Sequence, residues 1–256
     1  MIRRFPLWSI GSQHKSSRRS RQHKSVDLLG LALAVVMLGL LLPARASAAC
    51  LPWADLICNN FGGGVDSTPA CQNAYNQLKN TYATFNNRNV SGAAALGTSF
   101  AQSDAIWMAV GHGAWYGGQG FIFTSSSPGS MVVSSSSYGS CSAPNGCLSA
   151  LVAGKKLSRV RLMMFVGCNT DGSLPQTAIA AGADAAIAFS EDIGTDAANY
   201  WVGRFFLHAM QGNTIQAAAA SAHWDLLAIG YGDQGLGSIH IWGNASEKLI
   251  PAAYGV

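Results

Sequence analysis

Charged side chains are scarce in this chain of 256 residues, because Asp, Glu, Lys and Arg make up 11% of it and apolar residues 49%. This composition excludes wholesale disorder, and the length is enough for one domain with a sizeable core. No Gly-x-Ser-x-Gly segment is present, which argues against a serine hydrolase of the nucleophile-elbow type. Cys-x-x-Cys pairs and a phosphate-binding loop are missing as well, so the sequence predicts no metal site and no cofactor.

Positive charge is concentrated in residues 1–48, which hold eight of the 16 Lys and Arg residues and one acid. An apolar run of 15 residues, 28–42, follows the basic region and precedes Ala46-Ser47-Ala48. This order is typical of an export signal, so we expect a signal peptide over 1–48 and a secreted, periplasmic or cell-surface protein. The alternatives are an uncleaved anchor, which needs about 20 apolar residues, and a lipoprotein with its lipid on Cys50, although no lipobox Leu precedes that residue.

The chain after residue 48 carries 8 basic and 11 acidic side chains, a net charge of −3. The positive charge of the whole chain therefore belongs to the leader, and we expect no nucleic acid as a partner. No second apolar run of membrane length follows, so the sequence predicts no membrane span after signal cleavage.

All six cysteines follow the predicted cleavage site: Cys50, Cys58, Cys71, Cys141, Cys147 and Cys168. Cys141 and Cys147 flank a turn-rich Ser-Ala-Pro-Asn-Gly loop, which predicts a disulfide between them. Cys58, Cys71 and Cys50 offer another bridge near the N-terminus, and its connectivity stays open. If two bridges form, Cys168 and one of the three N-terminal cysteines stay unpaired. An unpaired cysteine in an exported protein calls for an explanation.

Strands and helices alternate along the predicted mature chain, 49–256. All-apolar runs at 106–110, 162–166 and 185–189 predict strands buried on both faces, and 238–242 predicts a last strand. A first helix is predicted to begin at an N-cap Thr68 and to continue, with apolar residues on one face, as far as Phe85. Further helices are predicted over 149–157, 175–181 and 214–226, and one is predicted to be capped by Thr195 and ended by Gly212. The stretch 49–67 is predicted to be a loop and 117–147 a Gly- and Ser-rich hairpin excursion. The pattern indicates one α/β domain with a mainly parallel sheet flanked by helices.

Reactive side chains follow two of the predicted strands. His112-Gly113 comes after 106–110, and Gly167-Cys168 comes after 162–166. Ligand sites of open α/β sheets lie beyond the carboxyl ends of the strands, so we expect His112 and Cys168 to share one cleft. There an imidazole can accept the thiol proton or stabilise the thiolate, which is the nucleophilic form. The backbone N–H groups of Gly113 and Cys168 are candidate oxyanion donors.

Segments 107–113 and 162–170 resemble the His-Gly and Cys blocks of caspase-like cysteine peptidases, particularly the gingipain, clostripain and CHAT-domain branch. The resemblance covers about 104–224 and implies a caspase-like three-layer sandwich. It also implies His112 as base or imidazolium partner and Cys168 as nucleophile in the hydrolysis of a peptide or protein substrate through an acyl-enzyme. Two positions depart from the pattern: Asn169 replaces an acid common in CHAT-type members, and Val166 replaces the Asp of metacaspases.

Glu191 and Asp192 lie just past the third predicted strand, at the same edge as His112 and Cys168. They are predicted to line a pocket for a basic P1 side chain, P1 being the residue that supplies the scissile carbonyl. The alternative is that they are two solvated loop acids or helix N-terminal charges beside Thr195. The histidines after Cys168 are predicted to pack rather than to catalyse: His208, His223 and His240. The competing function class is a secreted binding or structural module on the same scaffold, with Cys168 as an inert side chain.

Overall fold

A six-stranded sheet carries the fold of the residues that the computed structural model describes, namely 52–87, 105–126, 130–135 and 146–250. Its strands are β1 (Trp53–Cys58), β4 (Ala83–Asn87), β5 (Ile106–Val110), β9 (Leu162–Val166), β10 (Ala185–Phe189) and β11 (Ile239–Gly243). Their order across the sheet is β4-β1-β5-β9-β10-β11; the first five are parallel, and β11 runs antiparallel to β10. The predicted leader, Cys50 and Cys141 lie outside the described residues.

The three central strands β5, β9 and β10 are buried at every position, which confirms the strands predicted at 106–110, 162–166 and 185–189. Successive side chains of a strand point to opposite faces of the sheet. Ile106 and Met108 accordingly belong to one hydrophobic core, and Trp107 and Ala109 to another.

Helices cover both faces of the sheet. The helices α1 (Thr68–Leu78), α3 (Thr195–Met210) and α4 (Ile215–Ala228) contribute to the first core. The helix α2 (Ser173–Ala180) and a 3₁₀ helix, Leu148–Leu151, contribute to the second. The predicted α/β class, with a mainly parallel sheet flanked by helices, is therefore confirmed.

Two small antiparallel units project from the ends of the main strands. The first is the hairpin of β2 (Asn60–Gly62) and β3 (Val65–Asp66), between β1 and α1. The second is a three-stranded sheet of β6 (Gly113–Tyr116), β7 (Gln119–Phe123) and β8 (Met131–Val133), which directly follows β5. The described part of the predicted 117–147 excursion is thus built around a hairpin.

Two predicted elements are wrong. The stretch 49–67 is not a loop, because β1 lies between β4 and β5 in the sheet and is followed by the β2–β3 hairpin. Its pattern is broken by Asp55, which is nevertheless buried. The helix predicted over 149–157 is only the short 3₁₀ helix, because Gly154 and Lys155 adopt positive φ angles of 80° and 47°, which end helical geometry.

The helix predicted to reach Phe85 ends at Leu78, because 83–87 forms β4 in the main sheet. The remaining predicted elements differ from the structure only at their ends; the N-cap of α3, for example, is Gly194 rather than Thr195. Ser67 rather than Thr68 is the N-cap of α1, with a proline in the first turn as expected. Helices α2 and α4 cover the predicted 175–181 and 214–226 within two residues. The last strand begins at Ile239 instead of 238.

A disulfide joins the carboxyl end of β1 to α1. It links Cys58 to Cys71, both completely buried, and so selects one of the pairings that the sequence left open. Cys147 is also disulfide-bonded, and its partner lies outside the described residues.

An ionic cluster joins α3 to α4 at a carboxylate. Arg204 Nε donates to Asp225 Oδ2 at 2.6 Å, and His208 Nε2 lies 2.7 Å from the same oxygen. Burial alone would raise the pKa of the Asp225 carboxyl, but the hydrogen bonds and charges of Arg204 and His208 hold that pKa below its ordinary value. His208 therefore has a specific acidic partner in addition to its packing.

Candidate active site

The pairing of β5 with β9 brings the predicted His and Cys to one edge of the sheet. The last register pair is Val110 with Val166, and the N–H of Gly111 donates to Val166 O at 3.1 Å just beyond it. His112 and Cys168 each follow two residues after that pair, and both line one pocket of about 160 Å³. The structure thus brings the two side chains into one cleft.

Cys168 is half-buried, and it is the one free cysteine in the described part of the chain. Its sulfur contacts the loop between β10 and α3: the N–H of Ile193 donates to Sγ at 3.4 Å, and the carbonyl O of Ile193 lies 3.8 Å from Sγ. The backbone of Ile193 therefore fixes the position of the sulfur at the pocket.

His112, the other reactive residue of this pocket, is exposed. The ring of Phe61, from β2, packs edge-on against the imidazole with 5.2 Å between ring centroids. The carbonyl O of His112 accepts the N–H of Phe123 at 2.8 Å, which fixes the backbone at the start of β6. Backbone pairing and an aromatic contact therefore limit the positions of the imidazole.

Gly113 lies against the backbone of the nucleophile candidate. A Cβ at this position would overlap the carbonyl O of Cys168 and would lie 2.8 Å from its N. In an antiparallel pair of strands, hydrogen-bonded and non-hydrogen-bonded residue pairs alternate. His112 and Phe123 are hydrogen-bonded to each other, so the next pair, Gly113 with Ile122, is a non-hydrogen-bonded one. The N–H of Gly113 is therefore directed away from β7.

The turn after Cys168 is held by buried hydrogen bonds. Thr170 is buried, and its Oγ1 donates to Phe165 O at 2.7 Å and accepts the N–H of Phe189 at 3.2 Å. Asn169 adopts a positive φ of 51°, a conformation that Asn tolerates better than most residues. Hydrogen bonds to β9 and to β10 therefore hold the turn that follows Cys168.

Asp171 joins this turn to the edge strand β11. The Nε1–H of Trp242 donates to Asp171 Oδ1 at 2.8 Å, and His240 Nδ1 contacts Oδ2. Trp115, Asn169 and Asp171 help to line a second pocket of about 240 Å³. Neither His112 nor Cys168 is part of that lining.

Glu191 and Asp192, predicted to line a pocket for a basic side chain, are exposed. The side-chain Nδ2 of Asn169 donates to Asp192 Oδ1 at 2.7 Å, and the backbone O of Glu191 accepts the N–H of Asn169 at 3.1 Å. The lining of the pocket shared by His112 and Cys168 does not include either acid.

The later histidines lie away from that pocket and have acidic neighbours. His223 Nε2 is 3.7 Å from Asp233, and His208 and His240 contact Asp225 and Asp171. None of the three belongs to the lining of the pocket at Cys168.

Several residues of the site were not identified from the sequence. Phe61, Val65 and Ser67 come from a stretch predicted to be a loop, and Ile193 lies between two predicted elements. Ser67 Oγ donates to Val110 O at 2.7 Å and accepts the N–H of Asn59 at 3.0 Å. The adjacent Thr-Pro helix start marks this position in the sequence, but the contact depends on the pairing of β1 with β5.

Comparison with protein-family models and with curated proteins finds no match to this sequence. Within the described residues, no group of three or more His, Cys, Asp and Glu side chains is arranged to hold a metal ion. The helices in the same part of the chain are all too short or too polar to cross a membrane.

Proposed function

We propose that the protein is a cysteine peptidase of caspase-like fold that hydrolyses peptide bonds through an acyl-enzyme on Cys168. The observation that carries the proposal is the common pocket of His112 and Cys168 at the carboxyl ends of adjacent parallel strands. The mainly parallel sheet with helices on both faces supports the fold assignment.

In the first half of the reaction, the Cys168 thiolate attacks the scissile carbonyl carbon and forms a carbon–sulfur bond. The carbonyl electron pair moves to oxygen, and the N–H groups of Gly113 and Cys168 stabilise this oxyanion. Protonated His112 gives its proton to the amine, which leaves as the carbon–nitrogen bond breaks.

In the second half, water replaces the amine. His112 accepts a proton from the water as its oxygen attacks the thioester carbonyl carbon, and the Cys168 thiolate leaves. The products are a carboxylic acid, which loses its proton to the solvent, and the regenerated thiolate–imidazolium pair. Close approach of Gly113 to the Cys168 backbone supports the proposed pair of oxyanion donors, because a Cβ on Gly113 would lie only 2.8 Å from Cys168 N.

Export of the chain after residue 48 is part of the proposal. The Cys58–Cys71 disulfide and the disulfide-bonded Cys147 support it, because disulfides form and persist mainly in oxidising compartments.

A peptide-library digest tests the proposed activity. We expect the purified protein to cleave the library, Cys168→Ala to lose cleavage, and His112→Ala to lose at least about 100-fold of the rate, as removal of a general acid–base does. His223→Gln is the matched control, because His223 lies outside the pocket. Cleavage that persists in folded Cys168→Ala would refute the proposal.

Alkylation separates the peptidase from the non-catalytic module. We expect iodoacetamide at mildly acidic pH to label Cys168 stoichiometrically, and we expect His112→Ala to slow this labelling. A folded protein with an inert Cys168 and no cleavage would favour a binding or structural module instead.

A further inference from the structure

We infer that the pocket beside Cys168 receives an uncharged aliphatic P1 side chain, so that the substrates are peptides cleaved after residues such as Leu or Met. This inference rests on the proposed function and names its substrate class. It differs from the basic P1 residue that Glu191 and Asp192 suggested from the sequence.

Reaction geometry decides which pocket holds the P1 side chain. Attack bonds Cys168 Sγ to the P1 carbonyl carbon, and the P1 Cα is the next atom along, so the P1 side chain begins beside the sulfur. The pocket of about 160 Å³ is lined by both His112 and Cys168. The larger pocket at Asn169 and Asp171 is lined by neither of these side chains.

The wall of the Cys168 pocket is mainly aliphatic. It is formed by apolar side chains from three strands, one loop and one helix: Val65, Val110, Val166, Ile193 and Ala198. Thr195 and Ser67 add two hydroxyl groups, and Ser67 already bonds to backbone atoms of Val110 and Asn59. Apart from the two reactive side chains, the wall offers no charged group, so a charged P1 side chain would lose its water here without a dedicated partner, which is costly.

The acids nearest in sequence to this wall lie outside the pocket lining. Asp66 Oδ1 accepts from the N–H and the hydroxyl of Thr68 at 3.0 and 2.7 Å, at the start of α1. Asp192 binds the side chain of Asn169, and Glu191 is exposed. Neither these three carboxylates nor that of the exposed Asp196, which follows Thr195, is in the pocket lining, so none is placed to pair with an Arg or Lys side chain inside it.

The pocket volume matches a side chain of the size of Leu or Met. At roughly 30 Å³ for each water molecule, 160 Å³ holds about five waters, or about as many side-chain heavy atoms. Leu and Met have four side-chain heavy atoms and fill this space, whereas Ala leaves most of it empty. Each buried methylene changes the rate constant by about fourfold, since its transfer is worth about 0.8 kcal/mol.

Labelling by a set of peptidyl acyloxymethyl ketones tests the inference on the full chain. The ketones share one peptide and differ only in P1, which is Leu, Ala, Arg or Asp. In each case the Cys168 thiolate displaces the carboxylate leaving group and forms a thioether, which intact mass spectrometry detects. We expect the Leu ketone to label Cys168 at least about tenfold faster than the other three.

A charge placed in the pocket should reverse this preference. Thr195 lines the pocket in the first turn of α3, where a carboxylate is compatible with the helix dipole. We expect Thr195→Asp to raise the Arg-to-Leu rate ratio at least about tenfold, and the uncharged Thr195→Asn to leave the ratio within about twofold. Val65→Asp provides a second carboxylate at the pocket if Thr195→Asp fails to fold.

Distinct results overturn the two proposals. Faster labelling by the Arg or Asp ketone than by the Leu ketone would overturn the aliphatic pocket and leave the peptidase intact. Loss of labelling by the Arg ketone in Glu191→Gln or Asp192→Asn would also overturn the aliphatic pocket, because it would show that these acids bind the P1 side chain. Failure of every ketone to label Cys168 in folded protein would instead overturn the proposed function itself.

Discussion

Substitution of Gly113 by Ala tests the contact between the two strand ends. The new Cβ would overlap the carbonyl O of Cys168, and it would lie 2.6 Å from Thr170 Cγ2 and 2.8 Å from Cys168 N. Ordinary carbon contacts need about 3.5 to 4.0 Å, so the two backbones must separate by roughly 1 Å. Thr170 is fixed by its buried hydrogen bonds and cannot turn aside cheaply.

Two effects of this displacement can be measured. Overpacking of this kind typically costs about 1 to 3 kcal/mol, which we expect as a fall in the free energy of unfolding in urea. Displacement of an oxyanion donor costs about 100-fold or more in turnover, which we expect in peptide cleavage under conditions where Gly113→Ala is fully folded.

Gly118→Ala is the matched control for this experiment. Gly118 lies in the turn between β6 and β7 with a φ of +80°, and an added Cβ there would meet nothing within 4 Å. We expect a backbone cost of about 1 to 2 kcal/mol and unchanged turnover. Full turnover in Gly113→Ala would refute the assignment of its N–H as an oxyanion donor.

Two further predictions concern stability. Replacing Cys58 and Cys71 by Ala should lower the free energy of unfolding by about 3 kcal/mol, as expected for a bridge with a sequence separation of 13; an unchanged urea midpoint would contradict this. Asp225→Asn should lower the free energy of unfolding by about 1 kcal/mol at pH 7. The pKa of Asp225 is lower in the folded state than in the unfolded state. The stability that its charge contributes is therefore present above the unfolded-state pKa and is lost as the pH falls through the folded-state pKa. Urea unfolding from pH 7 to 2 checks this, and a deficit that stayed constant over that range would show that the charge is not its source.

The sequence predicts the central strands because every residue in them is apolar. β5, β9 and β10 are buried on both faces, so an uninterrupted run of apolar residues is enough to predict each strand. β1 was missed because Asp55 interrupts its apolar residues, and β4 has the sequence Ala-Thr-Phe-Asn-Asn, in which no apolar run appears. The antiparallel direction of β11 depends on how the chain returns after α4, which a local pattern does not contain.

Sequence reasoning finds the reactive residues of the candidate site but not the walls of its pocket. His112 and Cys168 follow recognisable strands, so their places at the sheet edge follow from the strand pattern. Val65 lies in a short hairpin beside three glycines, and Ile193 lies in a loop. Neither segment has apolar residues at regular spacing. The contact of each segment with the Cys168 pocket depends on packing between residues that are far apart in sequence.

The most direct test of the account is the detection of an acyl group on Cys168. A p-nitrophenyl ester of a short peptide ending in Leu should release p-nitrophenol in a burst of about one per protein, while the peptide acyl group adds to the protein. Acid quenching and peptide mapping by mass spectrometry should place that group on Cys168, and His112→Ala should slow its formation. An acyl group on another residue, or no acyl group on folded protein, would contradict the account.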